Sequence, residues 1–151
     1  DLLYHGPRND LPRDYAPKQV IPMLSQYKET IIAVRGNCEA EVDQMVLPFP
    51  CMADYAQLLV DGATFYLTHG HRHHVKMTRF SLLRDARASG AAAVLYGHTH
   101  EADCHQEADG LWVLNPGSCG YGGGKAGIMD VNDGAIGAVY LIDEMTLEEM
   151  L

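Results

Sequence analysis

Ala92-Ala93-Val94-Leu95-Tyr96-Gly97-His98-Thr99-His100 is the stretch on which the fold turns. Five apolar or aromatic residues in an unbroken run read as a strand buried on both faces, the kind found in parallel sheets. Just upstream, Phe80, Leu82, Leu83, Ala86 and Ala88 recur at helical spacing, and Gly90 ends the pattern as a helix C-terminus does. Further upstream, Leu58-Leu59-Val60 and Ala63-Thr64-Phe65-Tyr66-Leu67 flank Asp61-Gly62, a two-residue turn signal for a hairpin. That hairpin delivers Thr68-His69-Gly70-His71. Two apolar strands thus empty into histidine and glycine.

The pattern extends in both directions. Thr30-Ile31-Ile32-Ala33-Val34 reads as a third buried strand, ending at Arg35-Gly36-Asn37. Before it, Pro17 suits a first helical turn, and Val20, Ile21, Leu24 and Tyr27 keep helical spacing, with Pro22 as an interruption. The opening residues Asp1 to Asn9 pass from an apolar pair into Gly, Pro and Asn, the composition of a loop leaving a strand, so the beginning of the domain is expected upstream of Asp1. From Cys104 onward, short strands separated by Asp109-Gly110 and Asp133-Gly134 predict an antiparallel run, with Trp112-Val113-Leu114 as a core strand. The architecture these elements predict is an α/β sandwich of two sheets flanked by helices, in one domain over residues 1–151. In open α/β sheets ligands bind beyond the carboxyl ends of strands.

Length and charge narrow the function. A chain of 151 residues, 47% hydrophobic, can bury one good core. Its apolar runs fall far short of the roughly 18 residues that suggest a membrane span. A net charge of −9 gives no attraction for a polyanion, so duplex nucleic acid is excluded as a partner. Cys38, Cys51, Cys104 and Cys119 form no C-x-x-C pair, and reduced thiols in a cytoplasmic protein are the simplest expectation. Eight histidines are more than a core of this size needs. His69, His98 and His100 each follow an apolar strand and adjoin residues that let the chain turn sharply. Imidazole nitrogen with carboxylate or amide oxygen suits Mn, Fe, Zn or Ni, whereas thiolate-rich sets favour structural zinc.

Gly36-Asn37-Cys38-Glu39, Thr68-His69-Gly70-His71 and Gly97-His98-Thr99-His100, in this order, resemble the last three signature blocks of calcineurin-like metallophosphoesterases, and Asp1 resembles the aspartate of their Gly-Asp block. Asp1 to Asn9, Val34 to Gln44 and Asn115-Pro116-Gly117-Ser118 are similar to the YfcE-type bacterial phosphodiesterases within that superfamily. The resemblance covers essentially the whole chain. It implies an α/β/β/α sandwich of two mixed sheets, lacking here its first strand block, and metal-dependent hydrolysis of phosphate diesters. It also implies a pair of divalent ions, manganese by preference, with nickel, iron or zinc as alternatives. Asp1 would bridge the two ions; Asn37, His69 and His98 would serve one, and His100 the other. The family's first block, an Asp-x-His, is absent from this sequence; either the protein extends upstream or its second site is incomplete.

Cys38 stands where many relatives carry a histidine that donates a proton to the leaving group. A thiol in general still holds its proton at neutral pH, so Cys38 is a candidate donor, and a small residue packed beneath the site is the alternative. Glu39 is expected to orient the loop or a ligand, or to be a plain surface acid. Arg8 and Arg35 could each meet a phosphate, with a structural ion pair the plainer expectation for Arg35. His5 and His71 are candidate substrate contacts; His73 and His74 read as solvated bystanders and His105 as structural. The substrate is expected to be a small phosphodiester. A phosphomonoesterase or cyclic-nucleotide hydrolase would share the same metal chemistry. A protein-interaction scaffold is the rival from another class, and whether the chain forms a homo-oligomer stays open.

Overall fold

The computed structural model describes residues 1–3, 7, 10–11, 13–120 and 124–143. The chain divides into two compact units, residues 1–56 and 57–151.

In the first unit, helix α1 spans Pro17–Ser25 and helix α2 spans Glu41–Val46. Pro17 opens α1, where its missing N–H costs nothing. Pro22 sits inside the helix and removes one ladder donor, which α1 tolerates because Val20, Ile21 and Leu24 pack against the buried Leu3, Leu47, Phe49 and Cys51. The N-terminus of α2 is closed by Asp43, whose carboxylate accepts the Ala40 N–H at 2.8 Å. The strand expected over residues 30–34 does not form. Residues 31–36 run without regular secondary structure, and the Ile31 N–H turns back to the Tyr27 carbonyl (3.0 Å). The Arg35 N–H reaches the Ala53 carbonyl (2.7 Å), but a strand needs a continuous ladder, and the apolar run lacks one.

A five-stranded mixed sheet and a two-stranded sheet follow. Strands β1 (Tyr55–Val60) and β2 (Ala63–Thr68) are neighbours, joined at Asp61-Gly62. Helix α3 (Phe80–Ala88) crosses over to β3 (Ala93–Leu95), and β4 (Asp103–Gln106) and β5 (Trp112–Asn115) complete the order β1-β2-β3-β5-β4. β2, β3 and β5 are parallel, with Phe65 opposite Ala93 and Ala93 opposite Trp112; β4 runs antiparallel to β5. The second sheet is the antiparallel pair β6 (Lys125–Asn132) and β7 (Ala135–Asp143).

Asp61 and Gly62 have φ of 44° and 87°, and Asp133 and Gly134 have φ of 50° and 81°, the signs of a tight primed hairpin turn. The two turns lock together: the Asp61 carboxylate accepts the Asp133 N–H (2.7 Å), and the Asp61 carbonyl accepts the Gly134 N–H (2.6 Å). A side chain on Gly62 would stand 3.1 Å from the Gly134 Cα, so the contact needs glycine.

The core beneath α3 contains Tyr66, Val75, Leu82, Ala86, Val94, Tyr96, Leu111 and Val113. Asp103, at the start of β4, ties this core to its rim. Its carboxylate accepts the Tyr96 hydroxyl (2.6 Å), pairs with the Arg79 guanidinium and meets His105 Nδ1 (2.8 Å). Burial alone would raise the Asp103 pKa; the bonds from Tyr96, His105 and Arg79 outweigh it and hold the carboxyl below its usual range. Burial, with the bond to Asp103, pushes the Tyr96 hydroxyl up to about 12.

Two outcomes follow from this packing. Leu82, wholly buried, should cost about 2–5 kcal/mol when cut to alanine, read by urea unfolding, whereas Leu59→Ala, on a side chain 73% exposed, should cost little. Because the folded-state pKa of Asp103 is depressed, its contribution to stability is present above the unfolded carboxyl value near 4 and lost as pH falls below it. Asp103→Asn should therefore lower thermal stability at pH 7 and flatten its decline below pH about 4.

Candidate metal centre

Parallel pairing of β2, β3 and β5 brings their carboxyl ends to one edge, and the three chain exits there carry His69, His98 and Asn115. β2 ends at Thr68, and His69 follows at once; Gly70, at φ 97°, then turns the chain into a short 3₁₀ segment, His71–His73. β3 ends at Leu95, after which Tyr96-Gly97 leads to His98-Thr99-His100. The two loops are joined directly, since the Gly97 N–H donates to the His69 carbonyl (3.2 Å).

His69 Nε2 and His98 Nδ1 stand 3.2 Å apart. Ring centroids separate His69 from His98 by 5.1 Å, His69 from His71 by 5.2 Å and His71 from His98 by 6.0 Å, so three imidazoles form one cluster. Burial pushes the His98 pKa down to about 4, helped by the charges of Lys76, His69, His71 and His100. The His100 pKa is also lowered, by burial and by Lys76 and His69. His98 is therefore neutral at pH 7, with a ring lone pair free of a proton. His98 and His100 both lie in the left-handed region, at φ 70° and 62°, a conformation costing a residue with a side chain about 1–3 kcal/mol each.

The first unit assembles its own cluster around Glu39. That side chain is buried and accepts the backbone N–H groups of Asp1 (2.9 Å), Leu2 (2.5 Å) and Gly36. The Asp1 carboxylate accepts the Cys38 N–H (2.7 Å), and any side chain at position 36 would collide with that carboxylate, which is why glycine stands there. Asn37 Nδ2 donates to Cys38 Sγ (3.2 Å). Glu39 thus stands at the centre of a loop that brings Asp1, Asn37 and Cys38 together. Arg35 donates to the Glu39 carbonyl (3.4 Å), a structural bond to backbone.

The donors suit a borderline divalent cation. At metal–nitrogen distances of about 2.0–2.1 Å, two imidazoles on one ion hold their nitrogens roughly 2.9–3.4 Å apart, and the His69–His98 separation falls in that window. Among the described residues, no three His, Cys, Asp or Glu side chains form a ready cage for a cation. What this structure brings together is one imidazole pair in the second unit and one oxygen-bearing loop in the first. His5 and Arg8, the other candidate substrate contacts, lie outside the described residues.

His73 is no solvated bystander. Its Nε2 meets the Asp85 carboxylate on α3 (3.2 Å), its ring packs edge-on against Tyr66, and its carbonyl accepts the Ser81 hydroxyl (2.8 Å). It fastens the loop after His69 to the helix. Sequence reasoning passed over it because none of these three partners adjoins it in sequence. Lys76 carries no sequence signal, and Asn115 is read from sequence only as part of Asn115-Pro116-Gly117-Ser118, without a role. Asn115 is wholly buried; its Nδ2 donates to the Gly97 carbonyl (3.3 Å) and the Thr99 hydroxyl (2.9 Å). Its place at the end of an apolar strand was the available signal. His105 lies between Asp103 and Glu107, at 2.8 and 3.1 Å, in a structural hydrogen-bond network.

The family described as calcineurin-like phosphoesterase superfamily domain matches residues 13–134. Phosphodiesterase YfcE of Escherichia coli (strain K12) is 35% identical over 152 residues, spanning 99% of this chain and 78% of that protein. The solved structure of the E. coli YfcE phosphoesterase superposes with a TM-score of 0.68 at 33% identity, covering 93% of this chain and 79% of that one. Vps29 of Entamoeba histolytica, at 18% identity and a TM-score of 0.55 over 93% of this chain and 94% of that one, shares the fold. This chain belongs to the calcineurin-like phosphoesterase superfamily.

Proposed function

We propose that this protein is a metal-dependent phosphodiesterase that hydrolyses small phosphate diesters at a dinuclear centre. The observation that carries the reading is the convergence of His69 Nε2 and His98 Nδ1 at the carboxyl edge of the parallel strands, in a chain 35% identical to a phosphodiesterase. His69, His98 and Asn37 would hold one ion, His100 the second, and Asp1 would bridge them; the family resemblance is what assigns these residues to one centre. Manganese is the proposed metal. When bound, the ions would supply Lewis acidity and a water acidified for in-line attack on phosphorus.

The chain's own residues would supply the rest. His98, neutral at pH 7, presents nitrogen without first losing a proton. Glu39 holds the 36–39 loop rigid through its buried carboxylate. Cys38 Sγ–H is the proposed proton donor to the departing alkoxide, the Asn37 amide lying 3.2 Å from the sulfur. His71, beside both histidines, is placed to contact a phosphate oxygen, and His5 and Arg8 are proposed as further contacts. A cavity of about 340 Å³ lined by Thr78, Arg79, Tyr96, Thr99, Glu101 and Asp103 adjoins the loop through Thr99 and Glu101 and gives room for the alcohol portion of a diester.

All four cysteines are free, which fits a cytoplasmic setting. No helix among the described residues is long and apolar enough to cross a membrane. The shared fold with Vps29 keeps a scaffold role as the second reading, and turnover separates the two.

With manganese, the protein should hydrolyse bis-p-nitrophenyl phosphate; EDTA should abolish turnover, and His98→Ala should lower kcat/KM by at least about 100-fold. Absence of metal-dependent turnover would favour the scaffold. Cys38→Ala should lower kcat by about 100-fold on a diester with an aliphatic leaving alcohol and by far less on the p-nitrophenyl ester, whose leaving phenolate needs no proton. Equal kcat on both substrates for the variant and the parent would make Cys38 a packing residue.

A further inference from the structure

We propose that Asn115 is a positioning residue that moulds the loop Gly97-His98-Thr99-His100 into its ligating shape, an inference that rests on the metal-centre reading above. Both histidines of this loop sit at positive φ, on either side of Thr99. Such a conformation persists only where the surroundings over-determine it.

Asn115 meets that requirement from beneath. It is 0% exposed, at the end of β5, and every hydrogen-bonding group of its side chain is engaged locally. Its amide nitrogen donates to the Gly97 carbonyl just before His98 and to the Thr99 hydroxyl between the two histidines. Its amide oxygen accepts the Gly117 N–H at 2.9 Å. The reverse amide orientation would set nitrogen against an N–H and oxygen against a carbonyl, so the partners fix which way it points. Gly97 is gripped from the other side as well, through its N–H on the His69 carbonyl. One buried amide therefore sets the residue through which the His69 and His98 loops are joined.

The turn that follows supports the far end of the loop. Gly117, at φ 95°, lies so close that an added Cβ would stand 3.6 Å from the His100 carbonyl and 3.5 Å from the Ala102 nitrogen. Asn115-Pro116-Gly117 thus lines the loop from Gly97 to Ala102. A carboxylate at 115 could not make both donations, and an alanine would leave the Gly97 carbonyl and the Thr99 hydroxyl without this partner.

The test compares Asn115→Ala, Thr99→Val and Thr99→Ser. Valine keeps the shape of threonine but removes the hydroxyl's bond from Asn115 and its bonds with Glu101 (3.2 and 3.3 Å), and serine keeps all three, so the Thr99 pair is read beside the Asn115 variant. Two readouts are taken: Mn²⁺ affinity by calorimetry without substrate, and amide hydrogen exchange over residues 97–102 without metal. The proposal expects Asn115→Ala and Thr99→Val to weaken Mn²⁺ binding 10- to 100-fold and to speed exchange in the loop, with Thr99→Ser close to the parent in both. Should Asn115→Ala fail to fold, Asn115→Asp, which keeps the size but cannot make both donations, takes its place. Exchange and affinity unchanged in Thr99→Val, or altered equally in Thr99→Ser, overturn it. If the parent itself binds no Mn²⁺, the metal-centre reading fails and this inference fails with it. If the parent binds Mn²⁺ while the variants match it, only the positioning role falls.

Discussion

The parallel ladder of β2, β3 and β5 is the constraint on which the candidate centre depends. Parallel strands end side by side, so the residues leaving them share one edge whatever their separation in sequence. Here that edge receives His69, His98 and Asn115, and one backbone bond, from the Gly97 N–H to the His69 carbonyl, fixes the first two loops against each other. The core under α3 has Leu82, Val94 and Val113 wholly buried, and makes the ladder rigid enough to hold a short contact between two imidazoles.

A different device organises the oxygen-bearing loop of the first unit. Residues 31–36 form no ladder, and a buried carboxylate replaces it: Glu39 collects the N–H groups of Asp1, Leu2 and Gly36. A buried anion is costly unless donors surround it, and these donors also bring together the residues that carry the candidate ligands. Gly36 then leaves room for the Asp1 carboxylate. Buried polar groups thus shape both loops: the carboxylate of Glu39 in one and the amide of Asn115 in the other.

What the sequence disclosed reflects how local each signal was. Asp61-Gly62 and Asp133-Gly134 announce their hairpins because positive φ at two successive residues is a local demand. α3 and β3 are legible from periodicity and an apolar run. The apolar run at residues 30–34 misled, because whether such a run becomes a strand depends on a neighbour elsewhere in the chain. α2 was not read at all; six residues give too little period, and its cap comes from Asp43 within the helix. Around the candidate centre, strand-end histidines stood out by position. The pairing of His73 with Asp85 and of Asn115 with Thr99 spans 12 and 16 residues, and only folding discloses it.

The central proposal is that loops distant in sequence bring two imidazoles to one cation. Anomalous diffraction from crystals soaked in Mn²⁺ tests it most directly. The account predicts a peak bonded to His69 Nε2 and His98 Nδ1. A protein whose manganese peaks fall only on surface carboxylates such as Glu107 and Asp109, with none at the two imidazoles, would contradict it.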